Sequence, residues 1–436
     1  MDNCWDPKIE CMPRYELEKI QGQRLKNMVE HVYKNVPFYR NKLNKAGIKP
    51  SDIKDLEDLY KLPFTSKADL RDNYPYGLFA VPMSDIVRIH ASSGTSGYPT
   101  VVGYTKKDIA DWTDMVARAI SAAGGHQNSV MQVAYGYGLF TGGLGLHYGA
   151  ELVGASVIPA SGGNTKRQVQ LLQDFGSSIL ACTPSYALYI AETLKDMGVD
   201  IKTLSLKAGI FGAEPWTESM RKEIEKRLNI KAYDIYGLSE IYGPGVGYEC
   251  CAQNGMHICE DKIIAEVIDT DTLQPVPDGQ YGELVFTTIT KEGLPLLRYR
   301  TRDICKITRE KCSCGRTMMR MGKTRGRSDD MLIIRGVNLF PTQIESALME
   351  IGLVEPQYLI EVERVGILDE LTVKVEISTE NFSDEIRQLE EIRNTIFKSI
   401  QETTGLHANV QLIESKMLTR SEGKAIRVID KRNLAA

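Results

Sequence analysis

Between Val87 and about Thr288 the chain alternates short apolar runs with longer stretches of helical character. The runs are Val130–Ala134, Ser156–Ile158, Ile179–Ala181, Ala208–Phe211 and Ala232–Ile235; the helical stretches are Lys106–Ala123, Thr165–Phe175, Tyr186–Met197 and Glu218–Leu228. Strands that alternate with helices imply parallel sheets built from βαβ units. Gly279–Thr288 then reads as extended and richer in β-structure. Ahead of this region, Leu17, Ile20, Leu25, Met28 and Val32 are spaced for one apolar face of a helix over Tyr15–Asn35, a pattern that Pro37 ends.

Near Gly326-Arg327-Ser328-Asp329-Asp330 the pattern changes to a compact series. It predicts strand Met331–Ile334, helix Thr342–Ile351, strands Glu355–Glu363 and Leu371–Ile377, helix Ser383–Thr404 and strand Asn409–Ile413. The expected fold is therefore α/β. A large N-terminal domain of βαβ-built sheets plus a β-rich subdomain occupies 1–328, and a small α+β domain occupies 329–436.

At 436 residues the chain can bury a sizeable core without disulfides. Lys and Arg total 53 against 57 Asp and Glu, so the near balance argues against a polyanion-binding protein but leaves room for a local basic pocket. No basic segment followed by an apolar run opens the sequence, and no stretch of about 18 apolar residues is present, so neither a secretory signal nor a membrane span is expected. Six of the nine cysteines lie between Cys250 and Cys314, which suits a local metal site in a reducing cytoplasm better than a disulfide framework.

The most informative segment is Ser92-Ser93-Gly94-Thr95-Ser96-Gly97-Tyr98-Pro99-Thr100, which follows the largely apolar run Ile86–Ala91. Small residues let a backbone approach an anion closely, and its amides can form an anion-binding nest. The Gly-Lys-[Ser/Thr] ending of a Walker A loop is missing. The segment resembles the phosphate-binding motif of the acyl-adenylate-forming enzymes, the superfamily of acyl-CoA synthetases, luciferases and peptide-synthetase adenylation domains. Tyr236-Gly237-Leu238-Ser239-Glu240 is similar to the aromatic-Gly-x-Thr-Glu motif of that family, with Ser239 for Thr. Tyr299-Arg300-Thr301-Arg302-Asp303 resembles its Tyr-Arg-Thr-Gly-Asp motif, with Arg302 for Gly. Gly326–Asp330 with Ile333-Ile334-Arg335-Gly336 resembles its hinge and the first strand of its mobile C-terminal domain, and Gly423-Lys424-Ala425 falls where the family keeps a late lysine. The phenylacetate–CoA ligase branch is matched more fully, through Pro37-Phe38-Tyr39, Leu62-Pro63-Phe64-Thr65, Ala134–Gly143 and Asn338–Glu345.

The resemblance implies ATP-dependent ligation of phenylacetate, or a close aryl-acetic acid, to coenzyme A through an acyl-adenylate. Delivery to a carrier-protein thiol is the alternative acceptor. Lys424 is then the catalytic residue, stabilising the charge that crowds around the α-phosphorus. Ser92, Ser93, Gly94, Thr95, Ser96 and Gly97 would cradle phosphates. Asp303 would accept from the ribose hydroxyls, Arg327 would reach ribose or phosphates, and Glu240 would contact Mg²⁺. Tyr236 and Gly237 would pack on adenine, Ser239 would lie near the α-phosphate, and Glu214-Pro215 would add backbone contacts. Tyr135, Tyr137, Gly138 and Phe140, with Gly212 and Ala213, are candidates for the acyl pocket, against a plainer reading as turn and core packing. Asp329 would be the hinge about which the small domain rotates. Relatives suggest a homodimer, with no nucleic-acid or membrane partner.

Cys250, His257, Cys312 and Cys314 offer the thiolates and imidazole that suit tetrahedral Zn²⁺, and Cys251 or Cys259 could substitute for Cys250. Free buried thiols and a redox role are the competing readings of the cluster. A zinc-dependent nucleic-acid-binding module is a rival from another class, which the net charge does not encourage.

Overall fold

Thr105 shows how the local sequence starts the helices of the large lobe. Its hydroxyl accepts from the Asp108 amide at 3.1 Å while the Asp108 carboxylate accepts from the Thr105 amide at 2.9 Å, a reciprocal cap on Lys106–Ala122. Asn164, Thr183 and Thr217 cap Thr165–Asp174, Pro184–Asp196 and Glu218–Leu228 with side-chain oxygens in the same manner. The computed structural model describes residues 3–92, 99–365, 368–377 and 386–432.

A nine-stranded sheet organises the large lobe. Its order is Ile307–Thr308, Arg320–Met321, Met256–Ile258, Gly243–Glu249, Lys231–Leu238, Ala208–Gly212, Ile179–Cys182, Val130–Val133 and Ser156–Ile158. The last five of these run parallel and carry the expected βαβ crossovers, whereas the first four pair antiparallel. Ile179–Cys182 and Ala208–Gly212 are buried along their whole length, as strands covered on both faces must be. A four-stranded antiparallel sheet, Ile263–Ile268, Gly282–Thr288, Tyr299–Cys305 and Gly326–Arg327, forms the β-rich part.

Among the described residues, Pro7–Glu10, Pro37–Lys45, Lys67–Asp72 and Thr141–Val153 are helices that the sequence patterns do not predict. Pro37 ends Arg14–Asn35 and also starts Pro37–Lys45, because proline at the first helical position loses no hydrogen bond. Thr141–Val153 is a helix although four glycines dilute its signal.

From Leu332 onward the chain has an apolar cluster of its own. A mixed sheet, ordered Asn409–Glu414, Leu368–Ile377, Val354–Val365 and Val428–Asp430, packs with helices Pro341–Ile351 and Ile386–Thr404. A hairpin of Leu332–Ile334 and Val337–Leu339 precedes it. Ion pairs dock this small lobe on the large one: Arg420 on Glu192 at 2.8 Å, Lys416 on Asp196 at 2.7 Å and Arg227 on Glu355 at 2.8 Å. No helix among the described residues is long and apolar enough to cross a membrane.

Candidate active site and metal centre

The strand Lys231–Leu238 delivers Tyr236 and Gly237 to the end of the parallel region. Gly237 is required there: a Cβ would lie 1.7 Å from the Gly243 carbonyl oxygen of the neighbouring strand. Gly212 is confined in the same way, 2.1 Å from the Ile235 carbonyl oxygen, and Ala213 after it holds a left-handed φ of +70°. The tight passage of these strands sends Glu214 and Pro215 into the space between the lobes, where a cavity of about 530 Å³ is lined by Glu214, Pro215, Arg327, Asp329, Ala425 and Arg427, among others.

Tyr236 donates its hydroxyl to the Asp303 carboxylate. Burial pushes Asp303 up to about 6, opposed by that hydrogen bond and by Arg327. Arg327 pairs with Asp303 through the backbone ladder, while its guanidinium makes a two-pronged contact with Asp329 at 2.9 and 3.0 Å. Arg302 holds φ +69°, a conformation that favours glycine, which gives a physical reason for the glycine that the resembling motif carries there.

Ser239 Oγ lies 3.1 Å from Thr141 Oγ1, so the helix Thr141–Val153 supports this loop. Glu240 is buried, and its carboxylate has no hydrogen-bond or ion-pair partner among the described residues. Sequence reasoning missed what holds the loop. Lys291, fully buried, donates to the carbonyls of Glu240 at 3.0 Å and Ile241 at 2.8 Å and lies over the rings of Tyr104 and Tyr242. Tyr104 donates to the carbonyls of Ser239 and Tyr242. Burial drives the Lys291 ammonium down to about 7.

Lys424 reaches this cleft from the small lobe. Its side chain is exposed, yet desolvation by the cleft walls lowers its pKa; Glu214, Asp303 and Glu240 pull it back up, and Arg327 lowers it further. The Ser92 amide donates to the Thr100 carbonyl at 3.0 Å and closes the neck of the glycine-rich loop. Ser93, Gly94, Thr95, Ser96 and Gly97 lie outside the described residues.

The aromatic segment sits beside the Lys424 loop: a Cβ on Gly162 would lie 3.2 Å from the Glu422 carbonyl oxygen and 4.0 Å from the Gly136 amide. Tyr135 is buried with its ring 6.5 Å from that of Phe140. Tyr137 is half-buried against His147, and Gly138 has φ +123°.

Two strands across the same sheet from Tyr236, the ligand atoms of Cys250, His257, Cys312 and Cys314 all lie within 4.8 Å of one another. Cys250 Sγ is 3.7 Å from Cys312 Sγ, and Cys314 Sγ is 3.4 Å from His257 Nε2. Tetrahedral zinc with bonds of about 2.3 Å to sulfur and about 2.0 Å to nitrogen needs separations of about 3.8 and 3.5 Å. The donor set therefore fits that ion. His257 Nδ1 faces the Met318 carbonyl at 3.3 Å, the outer-shell bond that leaves Nε2 for a metal. Neither Cys251, which is exposed, nor Cys259, whose thiol turns to the Gly245 carbonyl, belongs to the set.

The family of AMP-binding enzymes matches residues 17–290, and the AMP-binding enzyme C-terminal domain matches 336–432. A phenylacetate–coenzyme A ligase of Thermus thermophilus is 50% identical over 98% of this chain and 99% of its own length. One from Escherichia coli is 51% identical over 98% of each. Among solved structures, 2-hydroxyisobutyryl-CoA ligase in its postadenylation state is similar with a TM-score of 0.93, 30% identity and coverage of 98% and 92%. The same ligase with CoA in its thioesterification state gives 0.74 at 31% identity, covering 99% and 93%, so the lobe arrangement here is nearer to that of the postadenylation-state structure.

Proposed function

The chain belongs to the AMP-binding enzymes and, within them, to the phenylacetate–coenzyme A ligases, and from that premise we propose how its own residues carry the reaction and that its acid is phenylacetate or a close aryl-acetic acid. It is an AMP-forming acid–CoA ligase. A carboxylate oxygen attacks the α-phosphorus of ATP, the bond to pyrophosphate breaks, and the CoA sulfur then attacks the acyl carbon and expels AMP. The observation that carries our assignment is the docking of the Lys424 loop on the large lobe, where Thr183 holds the Gly423 carbonyl, Glu214 holds the Ala425 amide, and Glu214, Asp303 and Glu240 act on the lysine charge. Lys424 stabilises the charge gathering on the α-phosphate. Asp303 accepts from the ribose hydroxyls, Tyr236 and the Glu214-Pro215 turn flank adenine, Arg327 turns from Asp329 to ribose or phosphate, and the Ser92–Gly97 segment cradles the phosphates. Glu240, a buried carboxylate facing the cleft, suits Mg²⁺, which binds through one or two carboxylates plus substrate phosphates and neutralises their charge. Tyr135, Tyr137, Gly138, Phe140, Gly212 and Ala213 line the acyl pocket.

The deciding experiment measures AMP formation from ATP across a panel of aryl acids, with and without free CoA. Phenylacetate giving AMP and a thioester only when CoA is present supports the reading; a CoA-independent turnover would turn it toward a carrier-protein acceptor.

Asp303 gives a pH test. Its carboxylate must be ionised to accept two hydroxyls, and burial holds its pKa at about 6. ATP capture, read as kcat/KM for ATP, is expected to fall as pH drops through about 6. Asp303→Asn should raise KM for ATP roughly 10- to 100-fold, the worth of hydrogen bonds to a charged group, and erase that limb. A flat wild-type profile between pH 5 and 7 would remove Asp303 from this role.

We place the domain boundary at 328/329 with Asp329 as hinge, because the small lobe's core begins at Leu332 and Arg327 grips Asp329 in this pose. Asp329→Pro is expected to slow overall thioester formation about tenfold more than pyrophosphate release, since a fixed φ resists the backbone change. Equal effects on both steps would argue for a hinge elsewhere.

We assign Zn²⁺ as a structural ion to Cys250, His257, Cys312 and Cys314. Nine cysteines without a disulfide among them suit a reducing compartment, and the cytoplasm is the proposed location. A homodimer is the proposed assembly, to be read by sedimentation.

A further inference from the structure

The backbone on either side of Lys424 is held by two side chains of the large lobe. Thr183 Oγ1 donates to the Gly423 carbonyl at 2.8 Å, and the Ala425 amide donates to Glu214 Oε2 at 2.8 Å. Each of the two side chains is anchored at its own end. Thr183 is the N-cap of Pro184–Asp196, and its hydroxyl also accepts from the Tyr186 amide at 3.3 Å. Glu214 Oε1 accepts from the Ser185 amide at 2.8 Å, in the first turn of that same helix, where exposed amides and the helix dipole favour a carboxylate. One helix start thus fixes both groups, and both groups fix one lysine.

The loop adds its own order: Ser421 Oγ donates to the Lys424 carbonyl at 2.8 Å, and Glu422 accepts from Thr165 at 3.2 Å. With residues 423 and 425 pinned, the Cα–Cβ direction of Lys424 is set, and only its side-chain torsions remain free. Both contacts cross between the lobes, so any rotation of the small lobe breaks them together.

We propose that Thr183 and Glu214 are positioning residues for Lys424, acting in the adenylation step and idle in thioester formation. This rests on the proposed catalytic role of Lys424. Glu214 then does more than present its backbone to adenine: its carboxylate ties the nucleotide-side turn to the lysine loop, so that the two are registered on one support. Thr183, its hydroxyl engaged by the Gly423 carbonyl and the Tyr186 amide, acts on Lys424 through the peptide bond of its neighbour.

The test measures the two half-reactions separately, as pyrophosphate release from ATP and acid, and as thioester formation from supplied acyl-adenylate and CoA. Thr183→Val is expected to lower kcat of the first about 10- to 100-fold, in line with the cost of displacing a catalytic group by about 1 Å, with KM for ATP within about twofold. The second half-reaction stays within about twofold. Thr183→Ser restores the hydroxyl and should return the first step to within about threefold. Glu214→Gln keeps size and backbone but turns an amide toward one of the two N–H donors, and it should shift the ratio of the two steps in the same direction. A helix weakened by loss of its cap would lower the melting temperature and slow both steps in parallel; that result, or an unchanged ratio in both variants, overturns the proposal. Wild-type protein that makes no AMP with any aryl acid would instead overturn the functional reading beneath it.

Discussion

Lys424→Ala is expected to slow pyrophosphate release about 10²–10³-fold, while thioester formation from supplied acyl-adenylate and CoA stays within about threefold of wild type. The size follows from removing one preorganised charge from the place where negative charge develops, about 2.7–4 kcal/mol. The asymmetry follows from geometry. Lys424 stands among Glu214, Asp303 and Glu240 only while the small lobe is docked as it is here, through Arg420 on Glu192 and Lys416 on Asp196. Desolvation lowers its pKa in the free enzyme, and ATP phosphates would raise it again on entering, as an opposite charge nearby must. Stopped-flow release of pyrophosphate and a coupled thioester assay read the two steps. Parallel losses would mean that the lysine serves both poses or that the variant is misfolded, and circular dichroism separates those two outcomes.

The parts of the fold that were legible in the sequence are those whose physics is local. Ile179–Cys182 and Ala208–Gly212 are apolar throughout because both faces are covered, and Thr105, Asn164 and Thr217 announce the helices they cap. Thr141–Val153 was not legible because its glycines serve distant partners. A Cβ on Gly145 would lie 2.5 Å from Trp112, and one on Gly149 would lie 2.5 Å from Val116, so helix Lys106–Ala122 can approach only if both stay bare. Motif resemblance brought together Tyr236, Glu240, Asp303 and Lys424. It had no means of finding Lys291, which lies 51 residues from Glu240 yet binds its carbonyl, or Thr183, 240 residues from Gly423. Such support acts through backbone atoms, which every residue carries, and so leaves no compositional signature. The cysteine cluster was legible as a set, but what separates Cys250 from its neighbour is burial: Cys250 is buried just past the strand Gly243–Glu249, whereas Cys251 is exposed in the turn that follows.

Removing the proposed zinc, by a strong chelator or by Cys312→Ser, is expected to lower the melting temperature of the large lobe by about 6 °C. Metal that binds only the folded state at about a thousandfold above its dissociation constant contributes about 4 kcal/mol. A lobe of roughly 300 residues with an unfolding entropy of about 2.1 cal/mol/K per residue shifts by about 1.5 °C for each kcal/mol. The loss should spread along a defined path. The knuckle Cys312–Cys314 leads directly into Arg316, whose buried guanidinium bonds Glu10 at 2.6 Å and the Asn3 carbonyl at 2.7 Å, and Thr317 donates to the Glu10 carbonyl at 3.1 Å. Without the ion, three buried donors and the half-buried Cys314 crowd together uncompensated, the knuckle loosens, and the N-terminal segment loses its anchor. Hydrogen exchange should therefore rise first at residues 3–12 and 310–319, ahead of the parallel strands. Purified protein with no stoichiometric zinc, and a Cys312→Ser variant melting within about 1 °C of wild type, would leave the four side chains as ordinary buried thiols beside a structural histidine.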